Sequence, residues 1–206
     1  MKAITGEGPT PIHQDFLVSW GSVPLLASSC SLSLMAKSDS FFIRHTTNID
    51  NSNLYRQEPI DLGAYVDALG KSVLRIHNIA VAFTDSTGRS CDIVTGGNKA
   101  AAAQFQLVTQ TQKDIVIASN KAVIASGLIN AFRTTNSVGV ADTVSHDFDN
   151  LPQLWTNGYL VAVDSIFLGG SASTNWNEDM YCTVTMECTV ETMTQAAAMA
   201  LALSQQ

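Results

Sequence analysis

The ten residues from Cys182 to Glu191, CTVTMECTVE, decide the fold class. Cys182, Val184, Met186, Cys188 and Val190 fall on one side of an extended chain, and Thr183, Thr185, Glu187, Thr189 and Glu191 fall on the other. Successive side chains of a β-strand point to opposite faces, so this strict alternation reads as a strand with one face in a core and one in solvent. It also answers a question of chemistry. Cys182 and Cys188 share a face but lie six residues apart, roughly 20 Å at about 3.3 Å per residue. A disulfide needs Cα atoms within about 7 Å. The two thiols therefore neither pair with each other nor share a metal while the strand is intact.

Directly after this strand, Thr192-Met-Thr-Gln195 has the Thr-x-x-Gln spacing of a helix capping box, and residues 196–203 (AAAMALAL) have high helix propensity. The helix has almost no polar face. A helix that is apolar all round is buried, so this one is expected to dock on its own sheet or on a neighbouring subunit. Met193, Met199, Leu201 and Leu203 are the candidate subunit-contact residues.

Toward the N-terminus the same reading finds strand signals at residues 29–35, 40–46, 72–83, 100–109, 115–117, 122–128, 131–133 and 159–168. Between them lie turn-rich stretches, among them 48–53 (NIDNSN), 85–89 (DSTGR) and the small polar run 169–177. Residues 61–69 suggest a short helical turn, and residues 1–15 an extended arm. There is no βαβ rhythm, no internal repeat and no break in composition. The expected fold is a single all-β domain over residues 1–206, an antiparallel β-sandwich of single jelly-roll type with a short Ala-rich C-terminal helix at residues 192–206.

Composition narrows the partners. Charged residues make up 14% of the 206-residue chain and hydrophobic ones 46%. An ordinary soluble domain carries about 25% charged residues. Much of the surface must then be Ser, Thr, Asn and Gln, which lose less on being covered by a neighbour. Net charge is −7, and the first forty residues hold only Lys2 and Lys37 as cations. Coating a nucleic acid through an arm needs clustered cations that release counterions, so direct binding by a basic arm is not expected. The four cysteines, Cys30, Cys91, Cys182 and Cys188, show no CxxC spacing, and there is no N-x-S/T sequon or apolar signal core. Synthesis in a cytoplasm follows, with the cysteines acting as small apolar residues. Residues 16–35 carry no charge, but six serines, Pro24 and Gly21 interrupt them, and no transmembrane segment is expected.

Candidate chemistry is sparse. His13, His45, His77 and His146 lie outside any catalytic motif, and no G-x-S-x-G elbow exists. The chain is not expected to be an enzyme or to hold a cofactor. Arg75 and His77 point to one face of their strand, as a polar face requires. Within His146-Asp-Phe-Asp-Asn150, Asp147 and Asp149 share a face if extended, and their oxygens suit calcium. The Gly and distant Glu of a calcium loop are missing, so an Asx-turn loop is the simpler expectation. Gly96-Gly-Asn-Lys99 is too short for a phosphate loop. Trp20, Trp155 and Trp176 are dispersed, which favours core or interface roles over a sugar platform.

The strands at residues 72–83, 159–168 and 181–190, the extended start at 1–15 and the apolar tail at 192–203 resemble those of single jelly-roll capsid proteins of tailless icosahedral viruses. The resemblance covers the whole chain in architecture and has no diagnostic motif. It implies a structural subunit of a virion, made in a host cytoplasm, whose partners are further copies of itself and other virion proteins. The missing basic arm departs from many such proteins and implies a shell whose genome is held apart from it. A phage tail-tube-like subunit and a lectin-like carbohydrate-binding module are the other classes that the sequence leaves open.

Overall fold

The computed structural model describes residues 37–67, 70–134 and 143–206. The N-terminal arm and the strand expected at residues 29–35 lie outside the described residues, as do His13, Trp20 and Cys30. The described residues fall in one compact unit spanning residues 34–206.

The described residues form nine strands and one helix: β1 (Phe41–Asp50), β2 (Arg56–Asp61), β3 (Ser72–Thr84), β4 (Lys99–Val108), β5 (Val123–Arg133), β6 (Thr143–Asn150), β7 (Tyr159–Val161), β8 (Ser165–Ala172), β9 (Met180–Thr192) and α1 (Gln195–Ser204). A 3-10 turn, Pro152–Leu154, precedes β7. The strands form two antiparallel sheets, ordered β1-β9-β3-β7 and β2-β8-β4-β5-β6. The pairs β1 with β9, β2 with β8, β3 with β7 and β4 with β5 are nested, as in one long hairpin rolled up so that its pairs fall alternately in the two sheets. That is jelly-roll topology. β6 is an addition on the far edge of β5. The described residues therefore form a jelly roll with a short C-terminal helix, the fold class that the sequence implies.

β9 shows why the alternation in its sequence was informative. Cys182, Val184, Met186 and Cys188 have no exposure and face the second sheet's Phe105, Leu107, Ile166 and Leu168, which are also buried. Thr183, Thr185 and Glu187 lie half-buried on the other face, because β9 sits between β1 and β3 and both neighbours flank it. Each large apolar side chain removed from water contributes about 1.5–3 kcal/mol. Toward β6 the core closes on three rings. Phe105 lies 6.3 Å from Phe83 and 6.0 Å from Phe148, both edge-on, a preferred aromatic geometry. Gly127 makes room for this: a Cβ there would strike the Phe148 ring.

Several elements differ from the sequence expectation. β2 gave no signal because RQEPID is polar and contains Pro59. It is an edge strand, where a residue without an N–H is tolerated. Residues 159–168 form not one strand but two. β7 pairs with β3, the chain turns through buried Ala162 and Val163, and β8 pairs with β2 and β4. A continuous apolar run carries no mark of such a corner. β8 then runs on to Ala172, into the expected loop at 169–177. Residues 146–150 are not an Asx-turn loop but part of β6, anchored by Phe148. Residues 115–117 form no strand. They sit in a loop held by Gln106, whose side-chain amide donates to the Val116 carbonyl and accepts from the Val116 N–H at 3.0 Å. Residues 122–128 and 131–133 are one strand, β5.

Two further glutamines act in the same way. β7 pairs with β3 only through Ile76, where a bulge follows. Gln153 takes over there: its Oε1 accepts from the Ile79 N–H and its Nε2 donates to the Ile79 carbonyl, both at 3.0 Å. Beside β7, buried Gln205 accepts from the Ala162 N–H at 2.9 Å and donates to the Leu160 carbonyl at 2.6 Å. Truncating either side chain strands one donor and one acceptor. Gln153→Ala and Gln205→Ala are each expected to lose about 1–3 kcal/mol, read as a lower urea midpoint at constant slope. An unchanged midpoint in both variants would show that these amides are dispensable.

Candidate assembly surface

The helix α1 begins two residues later than its capping-box spacing suggested. Thr192 is still paired with Ser72 in the sheet, so its backbone is committed to the ladder. Thr194 is the N-cap instead, and its side chain accepts from the Ala197 N–H at 3.3 Å. The helix lies on the outer face of the four-stranded sheet. Ala198 and Ala202 are buried there with Val73 and Ala162, and Leu160, Met193 and Leu201 pack around them. Alanines allow this close approach because they hold the helix backbone near the sheet.

The expectation that an apolar helix is buried all round holds for one stripe only. Of the four residues singled out for subunit contact, Met193 and Leu201 pack into the cluster on the domain's own sheet. Met199 and Leu203 stand outward, 42% and 68% exposed. They are four residues apart on one helix, hence neighbours on one face, and no residue of α1 is charged. Leu154, which ends the 3-10 turn, and Trp155 after it are also exposed. Trp176, by contrast, is a core residue whose Nε1 donates to the Ala102 carbonyl at 3.0 Å.

Next to the helix, the outer face of β3 and β9 carries a charge network. Arg75 holds Glu191 with two hydrogen bonds, Nε to Oε1 at 2.7 Å and Nη2 to Oε2 at 2.8 Å, and donates through Nη1 to the Asn157 carbonyl. Arg75 thereby keeps the Glu191 carboxyl below its usual range. His77 shares this outer face, as the strand pattern implied, with its Nε2 3.0 Å from Thr189 Oγ1. Desolvation, aided by Lys37 and Arg75, lowers its basicity. At the β1–β2 turn, Asp50 accepts from the Asn51 N–H and from Arg56, and its carboxyl is likewise held low.

Asp147 and Asp149 stand exposed on β6 and line one groove on the outer face of the second sheet, together with Gln104, Ser126 and Asn150. Asn150 Nδ2 donates to Ser126 Oγ at 3.3 Å. Among the described residues, no three His, Cys, Asp or Glu side chains gather where they could hold a metal ion. The turn at Gly96 and Gly97 has both glycines in the left-handed region, and the Gly97 carbonyl receives Nη2 of buried Arg133 at 3.3 Å. Cys91, Cys182 and Cys188 are free thiols. Burial pushes each of them up to about 12, which leaves almost no thiolate for nucleophilic or redox chemistry near neutral pH. No helix among the described residues is long and apolar enough to cross a membrane.

No protein-family model matches the sequence, and no curated protein does. Among solved structures the chain is similar to one titled Desmodium yellow mottle tymovirus, with a TM-score of 0.35 and 8% identity. The alignment covers 93% of this chain and 94% of that one.

The charge network gives the fold a defined acid sensitivity. His77 is harder to protonate in the fold than in the open chain, so its contribution is present above about pH 6.5 and is lost as pH falls through its lowered value. Glu191 and Asp50, held low, contribute above about pH 4.3 and 3.9 respectively and lose this as pH falls through their folded values. The melting temperature is expected to fall in two stages between pH 7 and pH 3. Glu191→Gln should flatten the second stage; an acid limb of unchanged steepness would remove Glu191 from the account.

Proposed function

We propose that this chain is a self-assembling shell subunit, a capsid protein that builds a virus particle from copies of itself. The reading rests chiefly on one observation: a jelly roll whose terminal helix docks through Ala198 and Ala202 and turns Met199 and Leu203 outward. Jelly rolls serve in viral capsids as well as in lectins and cupins, so the fold alone leaves the choice open. The exposed, uncharged helix face weighs toward contact between subunits. The low share of charge agrees, since a Ser, Thr, Asn and Gln surface costs less to cover than a charged one. The net charge of −7 and the scatter of its cations weigh against a direct grip on a genome by these residues. Other virion proteins are further partners in this reading.

A second reading has its own observation. Asn53, Gln104, Asn130, Ser171 and Ser173 line a shallow trough on the outer face of the second sheet. Amides and hydroxyls of this kind suit the hydroxyl groups of a sugar, as in a lectin-like module. Binding on a glycan array by a protein that stays dispersed would favour it.

Negative-stain microscopy of the purified protein tests the first reading, with closed shells as the expected result. The double variant Met199→Lys/Leu203→Lys is expected to abolish particles. Each exposed substitution should change stability by less than about 0.5 kcal/mol. Shells that persist in the variant would take the helix out of the contact, and a wild-type protein that remains monomeric at high concentration would overturn the reading.

A further inference from the structure

Strand β6 ends the five-stranded sheet: β5 pairs with one side of it, and among the described residues no strand pairs with the other. Its inward face begins well and then runs out of cover. Phe148 packs on Phe83 and Phe105. His146 shares that face, 5.5 Å from the Phe148 ring, yet is exposed. Val144 follows on the same side and is 48% exposed. Among the described residues the strand thus presents both an unpaired row of backbone groups and an apolar side chain that its own core does not cover. An open edge of this kind is a template for another strand.

We infer that β6 pairs antiparallel with β6 of a second copy, across a two-fold axis at His146. The partner is chosen by register. A two-fold pairing of identical strands sets same-face residues opposite each other, so the possible centres can be compared. A centre at Asp147 sets two carboxylates face to face, and one at Phe148 opposes Asp147 to Asp149; directly opposed like charges destabilise a sheet. A centre at Ser145 sets Val144 against His146. A centre at Val144 sets valine against valine but leaves only Thr143 to Ser145 of β6 in the ladder. The centre at His146 opposes Val144 to Phe148 and Ser145 to Asp147, which covers the exposed valine and gives the carboxylate a hydroxyl. The inference deepens the assembly reading by naming one contact between copies, and it rests on that reading only for its place in a larger particle.

Directly opposed residues of an antiparallel pair have Cα atoms about 4.5–5.5 Å apart, within disulfide range. Val144 of one copy would stand four residues from its own counterpart, roughly 13 Å away. His146→Cys, Ser145→Cys and Val144→Cys are each oxidised mildly beside the parent protein and resolved on a non-reducing gel. The expected result is a band of dimer mass from His146→Cys, several-fold stronger than from the other two variants or the parent. His146→Lys, which sets like charges at the axis, should lower the dimer fraction in sedimentation with an unchanged melting temperature. Equal cross-linking of all three variants, or strongest cross-linking from Ser145→Cys, overturns the register. A disulfide within one chain, joining the thiol introduced by His146→Cys to Cys30, overturns the pairing itself, since the edge would then belong to the chain's own N-terminal segment. Microscopy separates this contact from the shell reading. Shells without the His146→Cys dimer remove β6 from the contact and leave the shell; the dimer without shells does the reverse.

Discussion

Every strand in a sandwich leaves backbone donors and acceptors at its borders, and a buried one without a partner costs as much as a lost hydrogen bond. This jelly roll meets that constraint with glutamine amides. A side-chain amide has one acceptor and one donor group, like a peptide unit, so it can stand in for a missing strand neighbour. Gln153 does so at Ile79, past the point where three-residue β7 stops pairing with β3. Gln205 does so along β7, and its backbone carbonyl accepts from Thr109 Oγ1 at 2.7 Å, tying the end of α1 to the loop after β4. Gln106 fixes Val116 in a loop that has no ladder of its own. The shortness of β7 is tolerable because these neutral groups complete its surroundings. The same choice of neutral amides over ion pairs is visible in a composition with few charges.

What the sequence revealed depended on whether burial differed between the faces of a strand. β9 alternates because one face meets the core and the other carries Thr and Glu, so both its existence and its orientation were legible. β3 was legible as an apolar run. The corner between β7 and β8 was not, since Tyr159 to Leu168 stays apolar while the chain changes sheets, and nothing in such a run says where pairing partners switch. β2 and β6 are edge strands. Pro59 and its polar neighbours in one, and exposed Asp147 and Asp149 in the other, imitate loop composition. Only Phe148 marks β6 as part of the core, and a lone aromatic residue is too weak a signal without knowledge of Gly127, which makes its pocket.

The candidate surface was legible to the same degree and for a related reason. The sequence identified α1 and its lack of polarity but could not decide between its own sheet and a neighbour. The structure packs Met193 and Leu201 on the chain's own sheet and leaves Met199 and Leu203 exposed. Val73 and Ala162 offer a shallow site on the sheet, which Ala198 and Ala202 fill. Larger side chains at those positions would hold the helix away from the sheet and unseat Gln205 from Leu160 and Ala162. Close docking therefore demands alanines on the inner stripe, and the apolar bulk of the helix is displaced to Met199 and Leu203 outside.

That displacement carries an energetic consequence. Folding gains little from Met199 and Leu203, which remain 42% and 68% exposed, whereas full burial of such a side chain contributes about 1.5–3 kcal/mol. The Ala198 and Ala202 stripe would secure the helix just as well with polar residues on the opposite side. Helix propensity does not explain their choice either, because Glu, Lys and Gln form helices as readily as Leu and Met do. Neither packing nor propensity therefore requires the outer face of this uncharged helix to be apolar. The stability that α1 contributes thus resides on the inner side of its ten residues, and the small size of Ala198 and Ala202 is what leaves Met199 and Leu203 outside.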